Sequence, residues 1–339
     1  MKIKNLFYLL CLSLLSVACA DRSEKSGSPI VDEYANKRGS SGKTLEVLLV
    51  ANESVYSGDT KLLVDSIFRS PQEALPQMEP RFDLVNIPMS SFRNTEMFVV
   101  HRNVIILDIN PENPDKVYLK KDAYSAPQVV FDFAVSDRAK LDSLLRHYAD
   151  RIHSEIYNAE YRRIKKVFDD MKNVAMINAV SEQFGFKLSI PEEYQMAAQD
   201  VDYAWVRKEA KDFGLGVLIH QKTYTDMAQL EPSACVAMVD SVMKRVPGPA
   251  DGSYMGTESR LDIVSRKVDF NATSYCVETR GCWRLFGDFM GGPFVAYTFL
   301  SPNNKKIIQL VAYVYSPRFN KRDYLMQVDG MCRSYQPVR

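Results

Sequence analysis

The order of apolar and polar positions divides most of the chain into short strands and helices. Thr44–Asn52 (TLEVLLVAN) is an apolar run bounded by Gly42-Lys43 and Asn52-Glu53, the mark of a buried strand. Asp59–Arg69 follows with Leu62, Leu63, Ile67 and Phe68 at helical spacing. Ser70-Pro71 stops it, because the residue before a proline is pushed out of the helical region. Phe82–Ile87, Asn103–Ile109 and Gln128–Val135 read as strands, and Val117–Lys120 as a weaker one. From Ser136-Asp137 the spacing predicts one long helix. Leu141, Leu144, Leu145, Tyr148, Ile152 and Ile156 mark its face, Tyr161, Ile164, Val167, Phe168 and Met171 continue it, and Gly185 is its C-cap. A boundary there separates an N-terminal unit, 44–185, from a C-terminal unit, 186–339.

The second unit begins with a strand over Phe186–Ile190, stopped by Pro191, and adds strands at Asp202–Lys208 and Gly214–His220. Pro232 opens a helix striped by Val236, Val239, Met243 and Val246, and Pro247-Gly248-Pro249 ends it. Along Tyr275–Leu285 an apolar set that includes Val277 and Trp283 alternates with a polar set that includes Glu278, Arg280 and Arg284, which predicts a strand covered on one side. Phe294–Leu300 and Ile307–Tyr315 form a hairpin across Ser301-Pro302-Asn303-Asn304. The last of these strands is apolar on both faces and needs cover above and below. Asn320 is placed as the cap of a final helix with the stripe Tyr324, Leu325, Val328, Met331, Cys332 and Tyr335. The fold class is α+β in two units, the second an antiparallel sheet layered by helices. Its order β-β-β-α-β-β-β-α is similar to the PsbP/Mog1-like fold, a likeness that carries no activity with it.

The N-terminus follows different rules. Leu6–Val17 is an apolar run well short of the roughly 20 residues that span a bilayer, so it reads as the core of a signal peptide. It closes on Ser16-Val17-Ala18-Cys19, which resembles the lipobox of bacterial lipoproteins, with Ser16 where Leu is usual. In that class the cysteine is acylated and becomes the new N-terminus, so residues 1–18 are the expected signal and Cys19 the expected lipidation site. Ala20–Lys43 is polar and aperiodic and cannot bury enough apolar surface to offset the entropy of ordering. Residues 19–43 are therefore the expected flexible tether. The expected location is the bacterial cell envelope, as an outer membrane lipoprotein held to the membrane by its N-terminal lipid. Ala20-Asp21-Arg22 leaves the periplasmic and surface faces both open.

Charge narrows the partners. The chain carries 43 basic and 42 acidic residues, and removing the signal takes away Lys2 and Lys4 and no acid. Without a basic excess, nucleic acid is not an expected partner. Beyond Cys11 and Cys19 stand Cys235, Cys276, Cys282 and Cys332, with no CxxC among them. Cys276 and Cys282 lie roughly 20 Å apart along an extended strand, beyond the ~7 Å limit of a disulfide, so these thiols are expected to be mostly unpaired. His101, His147, His153 and His220 form no ligand spacing, and the two on the long helix read as exposed. No nucleophile motif, phosphate loop or dinucleotide fingerprint occurs, so no catalytic residue, metal or cofactor is expected.

Two runs are idiosyncratic: Pro247–Glu258 (PGPADGSYMGTE) and Arg280–Phe294 (RGCWRLFGDFMGGPF). With the lipobox and the Tyr313–Pro317 segment they resemble an uncharacterised bacterial lipoprotein family, domain of unknown function 4837, from about Thr44 to the C-terminus. Cys282 departs from the aliphatic residue expected at its place. The resemblance implies export and lipid attachment and offers no substrate. Gly291-Gly292-Pro293 is expected to form a tight loop whose backbone N–H groups hold an anion or a peptide carbonyl. Arg280, Trp283, Tyr254, Asp288 and Phe289 would stand beside it as a binding groove. The structural alternative is a sheet-edge turn with a core tryptophan and a surface arginine. Trp283→Ala would then cost about 3–5 kcal/mol and Arg280→Ala within about 0.5 kcal/mol. Two functions compete: non-catalytic binding or scaffolding through envelope protein or glycan contacts, and an enzyme that modifies peptidoglycan or glycan with residues distant in sequence.

Overall fold

The structure, a computed structural model, describes residues 39–271 and 273–338. The expected signal peptide, Cys19 and the expected tether as far as residue 38 lie outside the described residues. Residues before the expected Thr44 already take part in the fold. Gly39 bridges to Ala126 and Ser41 to His101, and the Arg163 guanidinium donates to Ser40 Oγ at 3.1 Å. These contacts bring residues 39–41 out of the expected tether and into the fold.

The first unit is a five-stranded sheet in the order β2-β1-β3-β5-β4, made of β1 (Glu46–Val50), β2 (Asp83–Ile87), β3 (Asn103–Ile109), β4 (Lys116–Lys121) and β5 (Val129–Val135). All neighbours but the β4 pair run parallel. Parallel strands need cover on both faces. Helix α1 (Gly58–Phe68) and the long α4 (Arg138–Asp170) supply one cover, and the short α2 (Met89–Asn94) and α3 (Glu96–Val99), which patterning did not reveal, supply the other. The single helix expected through Gly185 is broken at Met171. A new helix, α5 (Val174–Phe184), starts where the Asn173 side chain accepts from Met176 N at 3.1 Å, and Asn173 N donates to Ile190 O at 2.8 Å. The capping asparagine competes with helix continuation, which periodicity alone does not register. Gly185 does cap α5, in the left-handed conformation.

The second unit is an eight-stranded antiparallel sheet with path β10-β12-β13-β14-β9-β8-β7, β11 sharing the outer edge of β12. Its strands are β7 (Gln195–Asp200), β8 (Tyr203–Glu209), β9 (Gly214–Thr223), β10 (Tyr254–Thr257), β11 (Val264–Lys267), β12 (Cys276–Phe286), β13 (Gly291–Leu300) and β14 (Lys306–Tyr315). β7, β10 and β11 were not legible in the pattern. The expected strand at Phe186–Ile190 shrinks to β6 (Phe186–Lys187), paired with β15 (Gln336–Pro337). Helix α6 (Pro232–Met243) covers one face, and α7 (Arg322–Arg333) with α4 covers the other. β12 is thus buried on both sides along most of its length, a correction to the one-sided cover expected of it. The α+β class holds. Among the described residues no helix is long and apolar enough to cross a membrane.

The start of α7 also departs from expectation. Asn320 does not cap it. Glu79, from the first unit and 4% exposed, accepts from Lys321 N at 2.7 Å and Arg322 N at 2.9 Å. Arg322 in turn reaches Pro80 O and the Asp83 carboxylate, both at 2.8 Å. One unit thereby caps a helix of the other.

Candidate functional site

Residues three apart on a strand face opposite ways, and this decides the fate of the expected groove. Trp283 and Arg280 both sit on β12, on opposite faces of the sheet, and line different concavities. Trp283 belongs to the α6 side. Arg280 belongs to the side covered by α4 and α7.

On the α6 side, the helix is too short to cover the whole face. The uncovered end is a groove of about 510 Å3. Its floor holds Trp205, Trp283 and Tyr313, with Tyr315, Met255 and Met290 around them, and its walls include Pro247-Gly248-Pro249. The sequence has only two tryptophans, and both are here. Their N–H groups are spent internally: Trp205 Nε1 donates to Tyr313 Oη at 2.9 Å, and Trp283 Nε1 to Val314 O at 3.1 Å. Trp205, Trp283 and Tyr313 are buried, so what the groove offers is the edges of those rings with the half-buried Tyr315 and Met290, the Arg207–Glu209 pair at its rim and the Arg207 guanidinium 4.7 Å over the Trp205 ring. Both idiosyncratic runs and the Tyr313–Pro317 segment meet at this place.

The other expected site residues are distributed around it. Gly291 and Gly292 are not a loop. They open β13 and pair with Arg284 and Trp283, so their backbone is committed to the sheet, and the turn is Gly287–Met290. Glycine is required at 292 because a Cβ there would run into the Val314 carbonyl and crowd the Trp283 indole. The requirement for glycine at 292 comes from the close packing of strands. Gly291, Gly292, Asp288 and the fully exposed Phe289 line a smaller recess of about 280 Å3 with Arg284, Glu258 and Cys282. Tyr254 is half-exposed, stacks on Phe286 with centroids 5.2 Å apart, and faces another shallow recess formed by Lys244–Ser253.

Arg280 is not a surface arginine. It is 8% exposed and sits between two buried carboxylates, with Nε 3.0 Å from Glu278 Oε1 and Nη2 2.8 Å from Asp329 Oδ2. Tyr161 and Tyr297 also donate to Asp329, at 3.0 and 2.7 Å, while Arg266 and Arg333 approach Glu278 at 2.8 and 3.5 Å. Burial alone would raise the Glu278 carboxyl; Arg280 foremost, then Arg266 and Arg333, overcome that and hold it down to about 2. The network forms the floor of a polar cleft of about 540 Å3 between the two units, walled by α4 and the segment around Gln72 and Arg81. His153, expected to be exposed, is half-buried in this wall.

The four described cysteines are buried free thiols, and burial raises each one, Cys282 to about 11. Such thiols pack as small apolar groups.

A comparison with curated proteins gave no match. Among solved structures, LpqN, involved in cell envelope biogenesis of Mycobacterium tuberculosis, is similar over 45% of this chain and 83% of its own, at 10% identity and a TM-score of 0.28. Residues 40–169 match a domain of unknown function, DUF8532. A second domain of unknown function, DUF4837, matches residues 173–334, which contain both idiosyncratic runs. The family resemblance read from those runs thus holds for the C-terminal half and stops short of the N-terminal sheet. The C-terminal part of the chain, residues 173–334, carries the likeness to the DUF4837 family.

Proposed function

We propose that this chain is a lipid-anchored cell-envelope protein that works by binding a glycan or protein partner in the aromatic groove, without catalysis. The observation that carries this reading is the convergence of both tryptophans, two tyrosines and both idiosyncratic runs on one groove. Rings whose polar atoms are already satisfied present apolar edges at little entropic cost, and the half-buried Tyr315 and Met290 add to that surface. The lipobox ending in Cys19 supports the anchored location.

Because both tryptophans line the groove, intrinsic emission reports its occupancy directly. Peptidoglycan fragments released by a muramidase, or the protein fraction of the envelope, should shift Trp emission saturably in one of two separate titrations. Tyr315→Ser, at a half-buried wall position, should weaken that response while leaving the fold intact. No response to either fraction would remove the groove as the binding face, and turnover of the fragments would replace binding with catalysis. Cys19→Ala should abolish palmitate labelling; labelling that persisted would refute the anchor.

A further inference from the structure

We propose that the cleft between the two units binds a small carboxylate-bearing ligand, with Arg81 as the residue that receives the carboxylate. The proposal stands apart from the aromatic groove, which lies on the other side of the sheet.

Four guanidinium groups line this cleft: Arg81, Arg266, Arg280 and Arg333. Three have carboxylate partners. Arg266 bonds Glu73 and Glu278, Arg280 bonds Glu278 and Asp329, and Arg333 faces Glu278. No carboxylate lies within salt-bridge distance of Arg81 among the described residues. Among the described residues its side chain hydrogen-bonds His153 alone, Nη1 donating to Nδ1 at 3.2 Å. The other histidine nitrogen, Nε2, donates to Ile67 O at 2.9 Å, which fixes the neutral form of the ring. Burial first, and then the nearby Arg81 charge, lower the His153 pKa and keep that ring neutral. Arg81 Nε is buried without any hydrogen-bond partner. A buried donor left unpaired in a native fold calls for a partner, and here it belongs to a guanidinium that lines a cavity.

The cavity is within the roughly 300–1,000 Å3 range of small-ligand sites, and it lies at a junction of two units, where such sites concentrate. A guanidinium that lines the cleft without a carboxylate partner of its own matches a carboxylate. Asn158 and the Gln72 Nε2 have donors unspent within the described chain, and Tyr157 already holds Gln72 Oε1 at 2.8 Å. The rim carries the exposed carboxylates Asp150 and Asp269 besides Glu73. They repel polyanions, so the fit is to one carboxylate on an otherwise neutral or zwitterionic molecule. That chemistry belongs both to a peptide C-terminus and to an acidic sugar.

Calorimetric titration of the full chain separates these sources. The probes are N-acetyl-alanyl-alanine against its C-terminal amide, and the methyl glycoside of galacturonic acid, which carries a single carboxylate, against its methyl ester. One of the two acids should bind, and its neutral counterpart should bind at least ~10-fold more weakly, as the loss of a charge-assisted pair requires. Arg81→Gln should erase that preference and leave tryptophan emission and melting temperature unchanged. Which acid binds names the source. Equal binding of acid and neutral forms, binding of neither pair, or an undiminished preference in a folded Arg81→Gln variant would each overturn the proposal. If Arg81→Gln does not fold, the comparison of acid with neutral probe on the wild-type chain decides alone.

Discussion

Arg280 shows how a single residue changes meaning once its neighbours are known. On an alternating strand it looks like the polar, solvent-facing member of the pattern. In the fold, that face of β12 meets α7, and Arg280 neutralises Glu278 and Asp329, which are 3% and 2% exposed. Removing one member of a buried ionic set leaves the others uncompensated, so Arg280→Ala should cost about 3–5 kcal/mol in chemical denaturation. That equals the expected cost of Trp283→Ala, and a value near zero would mean the network is solvated. The same cluster sets an acid limit. The Glu278 carboxyl lies at about 2 in the fold against 4.5 when free, so its stabilisation is complete above pH 4.5 and drains away as the pH falls toward 2. Unfolding free energies measured across that window should fall less steeply with acid in Glu278→Gln than in wild type.

At the scale of elements, ends proved harder to read than middles. The stripes of α1, α4, α6 and α7 follow from apolar spacing, since burying one face dictates which positions are apolar. Their termini depend on groups from elsewhere. α7 is capped by Glu79, more than 240 positions away in sequence, so no local cap motif marks its start. Glu79→Ala strands two backbone N–H groups at a buried helix end and should lower stability by about 1–2 kcal/mol, with Glu79→Gln losing less because its amide oxygen still accepts. Thermal or urea unfolding of the two variants side by side checks the order. The short edge strands β10 and β11 escaped notice for a similar reason. Their hydrogen-bonding partner, β12, defines them, and their own composition is nearly patternless.

The whole molecule matches two families but has one principal core. A single apolar cluster runs from Val47 and Phe131 through α4 to Tyr297 and Leu310 in the second sheet and Met331 in α7. Arg266 to Glu73, Tyr161 to Asp329 and Glu79 to α7 reinforce it with polar ties across the same junction. The body should therefore melt in one calorimetric transition. A fragment of residues 173–339 would expose the apolar side of α7 that α4 covers, and should aggregate or lack a cooperative transition; a sharp independent melt of that fragment would show that the DUF4837 unit is self-sufficient.

Most strands and helices, the α+β class and the family of the C-terminal half were legible in the sequence, because local periodicity and short motifs encode burial on one face or two. Of the residues singled out in the sequence, Trp283 and the Pro-Gly-Pro run meet in one groove, while Gly291 and Gly292 line the recess beside it. Their roles were not legible. Alternation states that Arg280 and Trp283 face opposite ways, yet it is silent on what covers each face, and the cover turned one into the charge of a buried network and the other into the floor of a groove. Trp205 and Arg81 went unremarked because nothing near them in sequence marks them. Only the tertiary structure brings Trp205 to Trp283 and Arg81 to the cleft, since those contacts join segments that the chain order keeps far apart.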